Sequence, residues 1–253
     1  IEHPDPYFTQ NRYQGDHDEE LFFLANSHLH NLYRGRIRFS KEITSGRYPW
    51  VWDMESGKRW RIKLDRDGGF NLDMGPVDTL VIVFDHNKQG PQWNPLPYEG
   101  DDSCTLKGWE VELHHSRENW TRTDYMEQPT DLKETKWVDF TGTVTYRTTV
   151  TIDDTSRRTL LNLGKVHGEA YVSVNGQDLG LRWYGRRVYD LNDVLQPGEN
   201  TIEVRVITTL GNYMKTLKNN PTAQKWTNTK NKVQPIQSMG LVGPVTLYTA
   251  KQR

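Results

Sequence analysis

The chain lacks most of what would announce a catalyst or a membrane protein. Its 253 residues hold a single cysteine, Cys104, so no internal disulfide framework is available, and no identifiable base is paired with the thiol to make it a nucleophile. No run of about eighteen apolar residues occurs. The longest apolar run, Leu80 to Phe84, has the length of a strand, so no membrane partner is expected. Neither sign of charge dominates: 32 Lys and Arg face 33 Asp and Glu, for a net charge of −1, and the cations form no single block, which argues against nucleic acid. Glycine-rich phosphate loops, a GxSxG elbow and the DxDxDG pattern of an EF-hand are all missing. The opening IEHPDPYFTQ has neither the basic nor the apolar region of a signal peptide, and a chain starting on Ile rather than Met reads as a piece of something longer.

What is present is β-strand alternation. Trp109, Val111 and Leu113 alternate with Glu110, Glu112 and His114. Val144, Tyr146, Thr148, Val150 and Ile152 give the longest clean alternation, one face apolar and the other wet. Ala170, Val172 and Val174 run into Asn175-Gly176, the dipeptide best suited to a two-residue type I′ hairpin. Pro197-Gly198-Glu199-Asn200 makes a turn before Ile202, Val204 and Val206 repeat the pattern. Further strands are expected at Leu160 to Leu163 and Val245 to Tyr248. Upstream, Leu21 to Leu24, Ile37 with Phe39, and Phe70, Leu72 and Met74 after Asp67-Gly68-Gly69 read as strands. Trp60, Ile62 and Leu64 read likewise, and Thr79 to Phe84 suits a central buried strand. Helix is scarce, with one turn of it expected at Leu191 to Leu195. The class is all-β, built as two sandwich domains: a small one over residues 1–90, a Pro- and Gly-rich linker at 91–104, and a jelly-roll-like domain over 105–253.

Candidates for chemistry are sparse. A glycosidase needs two carboxylates facing each other across a sugar, and no spacing singles out a pair; Asp101-Asp102 and Asp153-Asp154 sit where acids favour turns. His28 with His30, and His114-His115, offer two metal ligands each and no third, so no transition-metal site or cofactor is indicated. A structural Ca²⁺ held by loop carboxylates and carbonyls is the one ion the composition leaves room for. The single sequon, Asn119-Trp120-Thr121, decides nothing.

The aromatic content is high, at nine Trp and twelve Tyr. Several fall in polar surroundings beside cations and amides. Arg182, Trp183, Tyr184, Arg186 and Arg187 follow the hairpin; Asn212, Tyr213 and Lys215 follow the strand ending at Val206; Trp226 lies in a long polar stretch before Pro235. Planar guanidinium forks and amides bind hydroxyl pairs while rings stack on sugar faces, so these nine residues form the candidate carbohydrate-binding set. The alternative, that Trp183 and Tyr184 pack beneath their loop and the arginines pair with acids, stays open.

The runs FTGTVTYRTTVTI, LNLGKVHGEAYVSVNGQDLGLRWYGRRVYDL, LQPGENTIEVRV and SMGLVGPVTLY together resemble the galactose-binding-like, sugar-binding jelly roll of glycoside hydrolase family 2. The version they look closest to stands at the C-terminal end of large gut-bacterial enzymes similar to family 106 α-L-rhamnosidases. Upstream, FFLANSH, PWVWDMESGKRW and LVIVF are similar to the sandwich that precedes that jelly roll. The resemblance implies an accessory C-terminal region, periplasmic or secreted, whose partners are carbohydrate and an upstream catalytic domain of the same polypeptide. In such enzymes the catalytic carboxylates lie in a (β/α)₈ barrel of about 250 residues, for which this chain has neither the length nor the βα alternation. It is therefore expected to carry no catalytic residues and to assist polysaccharide degradation, or else to act as a structural spacer without a ligand. A third reading has Arg186 or Trp183 reaching a neighbouring domain's pocket. One departure stands out: NYMKTLKNNPTAQKWTNTKNKVQPIQSMG is longer and more polar than a bare jelly roll needs, and is closer to the closing segment of family 2-like proteins.

Overall fold

A computed structural model describes residues 4–97, 100–229 and 232–250. It falls into two units, one of Ile1–Tyr98 with Tyr184–Arg186 and one of Glu99–Trp183 with Arg187–Arg253. The all-β class with two sandwiches is borne out.

The first unit contains β1 (Phe8–Gln14), β2 (Glu20–Asn26), β3 (Tyr33–Arg38), the short helix α1 (Lys41–Thr44), β4 (Tyr48–Trp52), β5 (Arg59–Arg61), β6 (Gly69–Met74) and β7 (Asp78–Asp85). Strands β1-β2-β7-β4-β5 form one antiparallel sheet and β3-β6 a second. The apolar run in β7 lies at the centre of its sheet, paired with β2 and β4, because residues 81 to 84 are buried on both faces. Alternation in β6 places Phe70, Leu72 and Met74 in the core, and Phe39, just past β3, meets Phe22 at 5.0 Å and Phe84 at 4.7 Å. One cluster of buried side chains joins both sheets, each contributing ~1.5–3 kcal/mol of burial. Strand β1 carries no apolar alternation: six of its seven residues are exposed, as suits an edge. The alternation at Trp60 to Leu64 yields only the three-residue β5.

The second unit contains β8 (Gly100–Thr105), β9 (Trp109–His115), β10 (Thr121–Met126), a 3₁₀ turn (Leu132–Glu134), β11 (Gly142–Ile152), β12 (Thr159–Asn162), β13 (Lys165–His167), β14 (Glu169–Val174), β15 (Gln177–Arg182), β16 (Val188–Asp190) and β17 (Gly198–Ile207). Helices α2 (Gly211–Thr216) and α3 (Pro221–Thr227) follow, then β18 (Asn228–Thr229), β19 (Lys232–Val233), β20 (Gly240–Gly243) and β21 (Thr246–Ala250). A six-stranded sheet β10-β9-β11-β17-β14-β15 packs on a four-stranded sheet β16-β12-β21-β8, with short pairs β13-β20 and β18-β19. The buried faces run in register: Val144 opposes Val206, Tyr146 opposes Val204 and Thr148 opposes Ile202. Tyr146 is wholly enclosed, its hydroxyl accepting from the Leu241 amide at 3.2 Å. Gly240, at φ +85°, lets that close approach happen, since a Cβ there would stand 2.6 Å from the Tyr146 oxygen.

The structure departs from the sequence expectations at two places. The stretch read as linker, 91–104, contains most of β8, which pairs with β21; its residues GDDSCT show no apolar alternation because nearly all are exposed. Residues 191 to 195, where a turn of helix is expected, make a hydrogen-bonded turn closed by Leu195 N to Leu191 O at 3.0 Å rather than a helix, and the helical residues lie elsewhere. Helices α2 and α3 occupy the long polar segment, and α3 begins on Asn220, whose side chain accepts from the Ala223 amide, with Pro221 in the first turn.

The hairpin forms as its sequence demands, with Asn175 at φ +52° and Gly176 at φ +78°. Its turn is also anchored sideways. The Asn175 amide donates to the Val194 carbonyl at 3.0 Å and to Asn200 Oδ1 at 2.8 Å, while its own Oδ1 accepts from the Thr201 amide at 3.0 Å. Asn200, fully buried, donates to the Gln196 and Gly198 carbonyls and accepts from the Gln196 amide. Every amide group of the pair is therefore used. Replacing Asn200 with Ala takes the partner from several part-buried groups, and urea unfolding is expected to show a loss of about 1–3 kcal/mol. Asn175→Gly, which keeps the positive φ, is expected to cost less than Asn175→Ala; equal costs would mean the backbone conformation contributes nothing.

Candidate functional site

Of the nine residues chosen from the sequence, Tyr184 and Arg186 belong to the first unit and the other seven to the second. Arg182 ends β15 with its guanidinium 5.2 Å from the Tyr189 ring. Trp183 is 58% exposed, and its carbonyl accepts from the Arg187 guanidinium. Tyr184, Gly185 and Arg186 are held within the first unit. The Gly185 amide donates to Val77 O at 3.1 Å, and Arg186 donates to the carbonyls of Leu96 at 3.1 Å and Pro97 at 2.8 Å. Burial raises the pKa of the Tyr184 hydroxyl, and a hydrogen bond with Thr79 partly offsets the rise. Asn212 is buried, donating to Val138 O at 3.0 Å and Gln237 O at 2.8 Å and accepting from the Gln237 amide at 2.8 Å. Lys215 donates to the Gln234 carbonyl, so both residues tie the long segment down. Trp226, on α3, is 65% exposed. Among the described residues the three or more His, Cys, Asp or Glu side chains of a metal site come together nowhere. His28 lies in a loop, where its Nδ1 accepts from the amides of His30 and Asn31 at 3.1 and 2.9 Å.

Tyr213 leads to a different place. Its ring meets His115 edge-on at 5.0 Å; His115 lies 4.9 Å from Trp120, which lies 5.9 Å from both Trp137 and Phe140. This aromatic chain supports a groove of about 600 Å³ lined by Thr121, Arg122, Thr123, Lys136 and Trp137. No strand is expected here from the sequence, yet this stretch is strand β10, at the edge of the six-stranded sheet, paired with β9 from Thr121 opposite His114 to Met126 opposite Trp109. On the other wall, Asp131 caps the 3₁₀ turn by accepting from the Lys133 amide, and the chain leaves that turn into Lys136 and Trp137. A signal was there: Trp120, Arg122 and Asp124 share one face by period-2 spacing.

The electrostatics fix the groove's shape. Asp124 Oδ2 accepts from Trp137 Nε1 at 2.9 Å and pairs with Lys136 Nζ at 2.9 Å. The Lys136 contact, opposed by burial and helped by the Trp137 bond, lowers the Asp124 pKa. Arg122 lies 4.8 Å over the Trp120 ring and 6.0 Å from Trp137, and Lys136 covers Trp137 at 4.9 Å. The groove lining therefore combines a guanidinium, an ammonium and two threonine hydroxyls with the Trp137 ring, while Asp124 beneath them is taken up by Lys136, Trp137 and the Tyr125 amide. Its size falls within the range of small-molecule clefts, and planar guanidinium and hydroxyl donors suit sugar hydroxyls.

Residues 116–240 match the family described as glycosyl hydrolase 2 galactose-binding domain-like. The resemblance read from the sequence is borne out over that span. In structure the chain is similar to a rhamnosidase from Novosphingobium sp. PP1Y, with 22% identity, a TM-score of 0.66, and coverage of 96% of this chain and 25% of that one. A β-glucuronidase from Faecalibacterium prausnitzii is similar at 20% identity and a TM-score of 0.42, over 62% of this chain and 33% of that chain. The β-D-glucuronidase of Dictyoglomus thermophilum gives 19% and 0.43, over 62% and 29%. None of the curated proteins compared with the chain matches it. The likeness to the rhamnosidase speaks for the fold, and the chain spans a quarter of that protein's length. No helix among the described residues is long and apolar enough to cross a membrane.

Asp124 allows a direct check. Asp124→Ala strands the indole N–H of the largely buried Trp137 and is expected to cost about 1–3 kcal/mol in urea unfolding. Asp124→Asn keeps an acceptor and should cost under about 1 kcal/mol. Because the folded pKa is lowered, this carboxylate's contribution is fully present above the ordinary aspartate value of 3.8 and is lost as pH falls below it through the lowered folded value, so the gap between parent and Asp124→Asn should narrow on acidification below 3.8.

Proposed function

We propose that the chain is a non-catalytic accessory region of a glycoside hydrolase, one that supports a catalytic domain of the same polypeptide and contacts carbohydrate during polysaccharide breakdown. The observation that carries this reading is the match of residues 116–240 to a galactose-binding-like family, on a sandwich whose edge bears the Arg122–Trp137 groove. Coverage of a quarter of the rhamnosidase is consistent with a larger parent. A periplasmic or secreted location goes with such a substrate.

The groove residues are the first proposed contacts. Exposed Trp183 and Trp226 are the remaining members of the sequence-derived set with ring surface to offer, while Tyr213 backs the groove through His115. A spacer without a ligand is the second reading, favoured by the engagement of Arg186, Asn212 and Lys215 with backbone carbonyls.

Affinity electrophoresis through gels of neutral plant polysaccharides separates the two. The parent chain is expected to be retarded by at least one of them, and Arg122→Ala, losing a charged donor set, to bind roughly tenfold more weakly. Free migration of the parent on every polysaccharide would leave the spacer reading standing.

A further inference from the structure

The first unit carries a groove of about 530 Å³ whose residues lie outside the galactose-binding-like span and differ in character from those at Arg122. Five cations line it, Lys41, Arg47, Arg61, Lys63 and Arg66, against two acids, Asp65 and Asp67. In a chain whose net charge is −1, that is a local concentration rather than a general excess.

The acids are already committed. Asp65 pairs with Arg36 at 2.8 Å, and Asp67 pairs with Arg36 at 2.7 Å and Arg38 at 3.4 Å. Arg47 is held by Asp18, through its side chain and through the Asp18 carbonyl at 2.8 Å. Arg61 lies 4.7 Å over the Tyr48 ring and donates to the Lys88 carbonyl, which fixes its guanidinium at the groove without a carboxylate. Among the described residues, the side chains of Lys41, Lys63 and Arg66 have no hydrogen bond or ion pair, and all three are exposed. Glu42, the neighbouring acid on α1, does not line the groove. The floor beneath these charges is firm, since Ile62 and Phe39 belong to the core.

We propose that this groove binds an acidic saccharide, a chain bearing carboxylate or sulfate groups, with Lys41, Lys63 and Arg66 meeting its charges and the stacked Arg61 giving a planar fork for one of them. Uncompensated cations drawn from α1 and from the run 61–66 suit an extended polyanion, and guanidinium and ammonium groups bind carboxylate and sulfate by charge-assisted hydrogen bonds. That the polyanion is a saccharide rests on the function proposed above; its charge rests on this groove alone.

The experiment measures binding of the whole chain to polygalacturonate, to a neutral galactan and to a single-stranded oligonucleotide at low and high salt. Retention on polygalacturonate is expected, weakening as salt rises. A triple variant, Lys41→Glu, Lys63→Glu and Arg66→Glu, should weaken it at least about tenfold, because several exposed ion pairs are lost and replaced by repulsion. Lys41→Arg with Lys63→Arg should retain it. An unchanged circular dichroism spectrum and urea midpoint in the charge-reversed chain show that the fold survives; if it does not, Lys63→Gln with Arg66→Gln takes its place. No retention on polygalacturonate, or retention indifferent to these substitutions, overturns the proposal. Equal or tighter binding of the oligonucleotide overturns the saccharide assignment. Charge-dependent polygalacturonate binding without galactan binding upholds this groove while removing the neutral-sugar role given to the Arg122 groove, so the two ideas fail separately.

Discussion

The second sandwich depends on one pair of amides, the buried Asn200 and the half-buried Asn175. Asn175 sits at the tip of the β14–β15 hairpin and Asn200 near the start of β17, and their side chains meet at 2.8 Å. Through that contact the hairpin, the turn at 191 to 196 and the first residues of β17 are fixed together, since Val194, Gln196, Gly198 and Thr201 all bond to one amide or the other. Strand register follows. A hairpin whose tip is pinned to Thr201 can pair β14 with β17 only with Val174 opposite Ile202, which turns Ala170, Val172 and Val174 to the same interior as Val204 and Val206. A slip of one residue would break the amide bonds and expose the whole apolar face at once. Two neutral side chains thus determine which face of a six-stranded sheet is inside.

What the sequence reveals and hides follows from burial. Strands β7, β9, β11, β14 and β17 are legible because one or both faces are covered, so their apolar residues recur at the strand period. Strands β1, β8 and β10 have no such imprint, because edge strands that bury almost nothing have no reason to alternate. The two helices in the polar closing segment are short, and their apolar contacts are few, yet Asn220 and Pro221 are a helix start written in plain residues.

The candidate site was legible only in kind. Aromatic rings beside guanidinium groups do gather on the second unit, but at Trp120, Arg122 and Trp137 rather than along Arg182 to Arg187. Tyr213 joins that cluster through His115, whereas Asn212 and Lys215 spend their polar groups on backbone. Composition cannot separate an arginine stacked over a ring from one forked onto two carbonyls: Arg122 lies over Trp120, whereas Arg186 donates to Leu96 and Pro97. What distinguishes them is whether a carbonyl lies within reach, which is a property of the folded loop.

The polar coat of β10 has a consequence for assembly. A strand at the end of a sheet presents unpaired amides and carbonyls to any other strand that approaches, and a flat apolar one invites sheet-to-sheet growth. In β10 the arginine and threonines that shape the groove also make the approach of a second sheet costly, since the exposed Arg122 would have to be stripped of water. The polar coat that shapes the groove is thus also what keeps the edge from zipping onto a neighbouring copy.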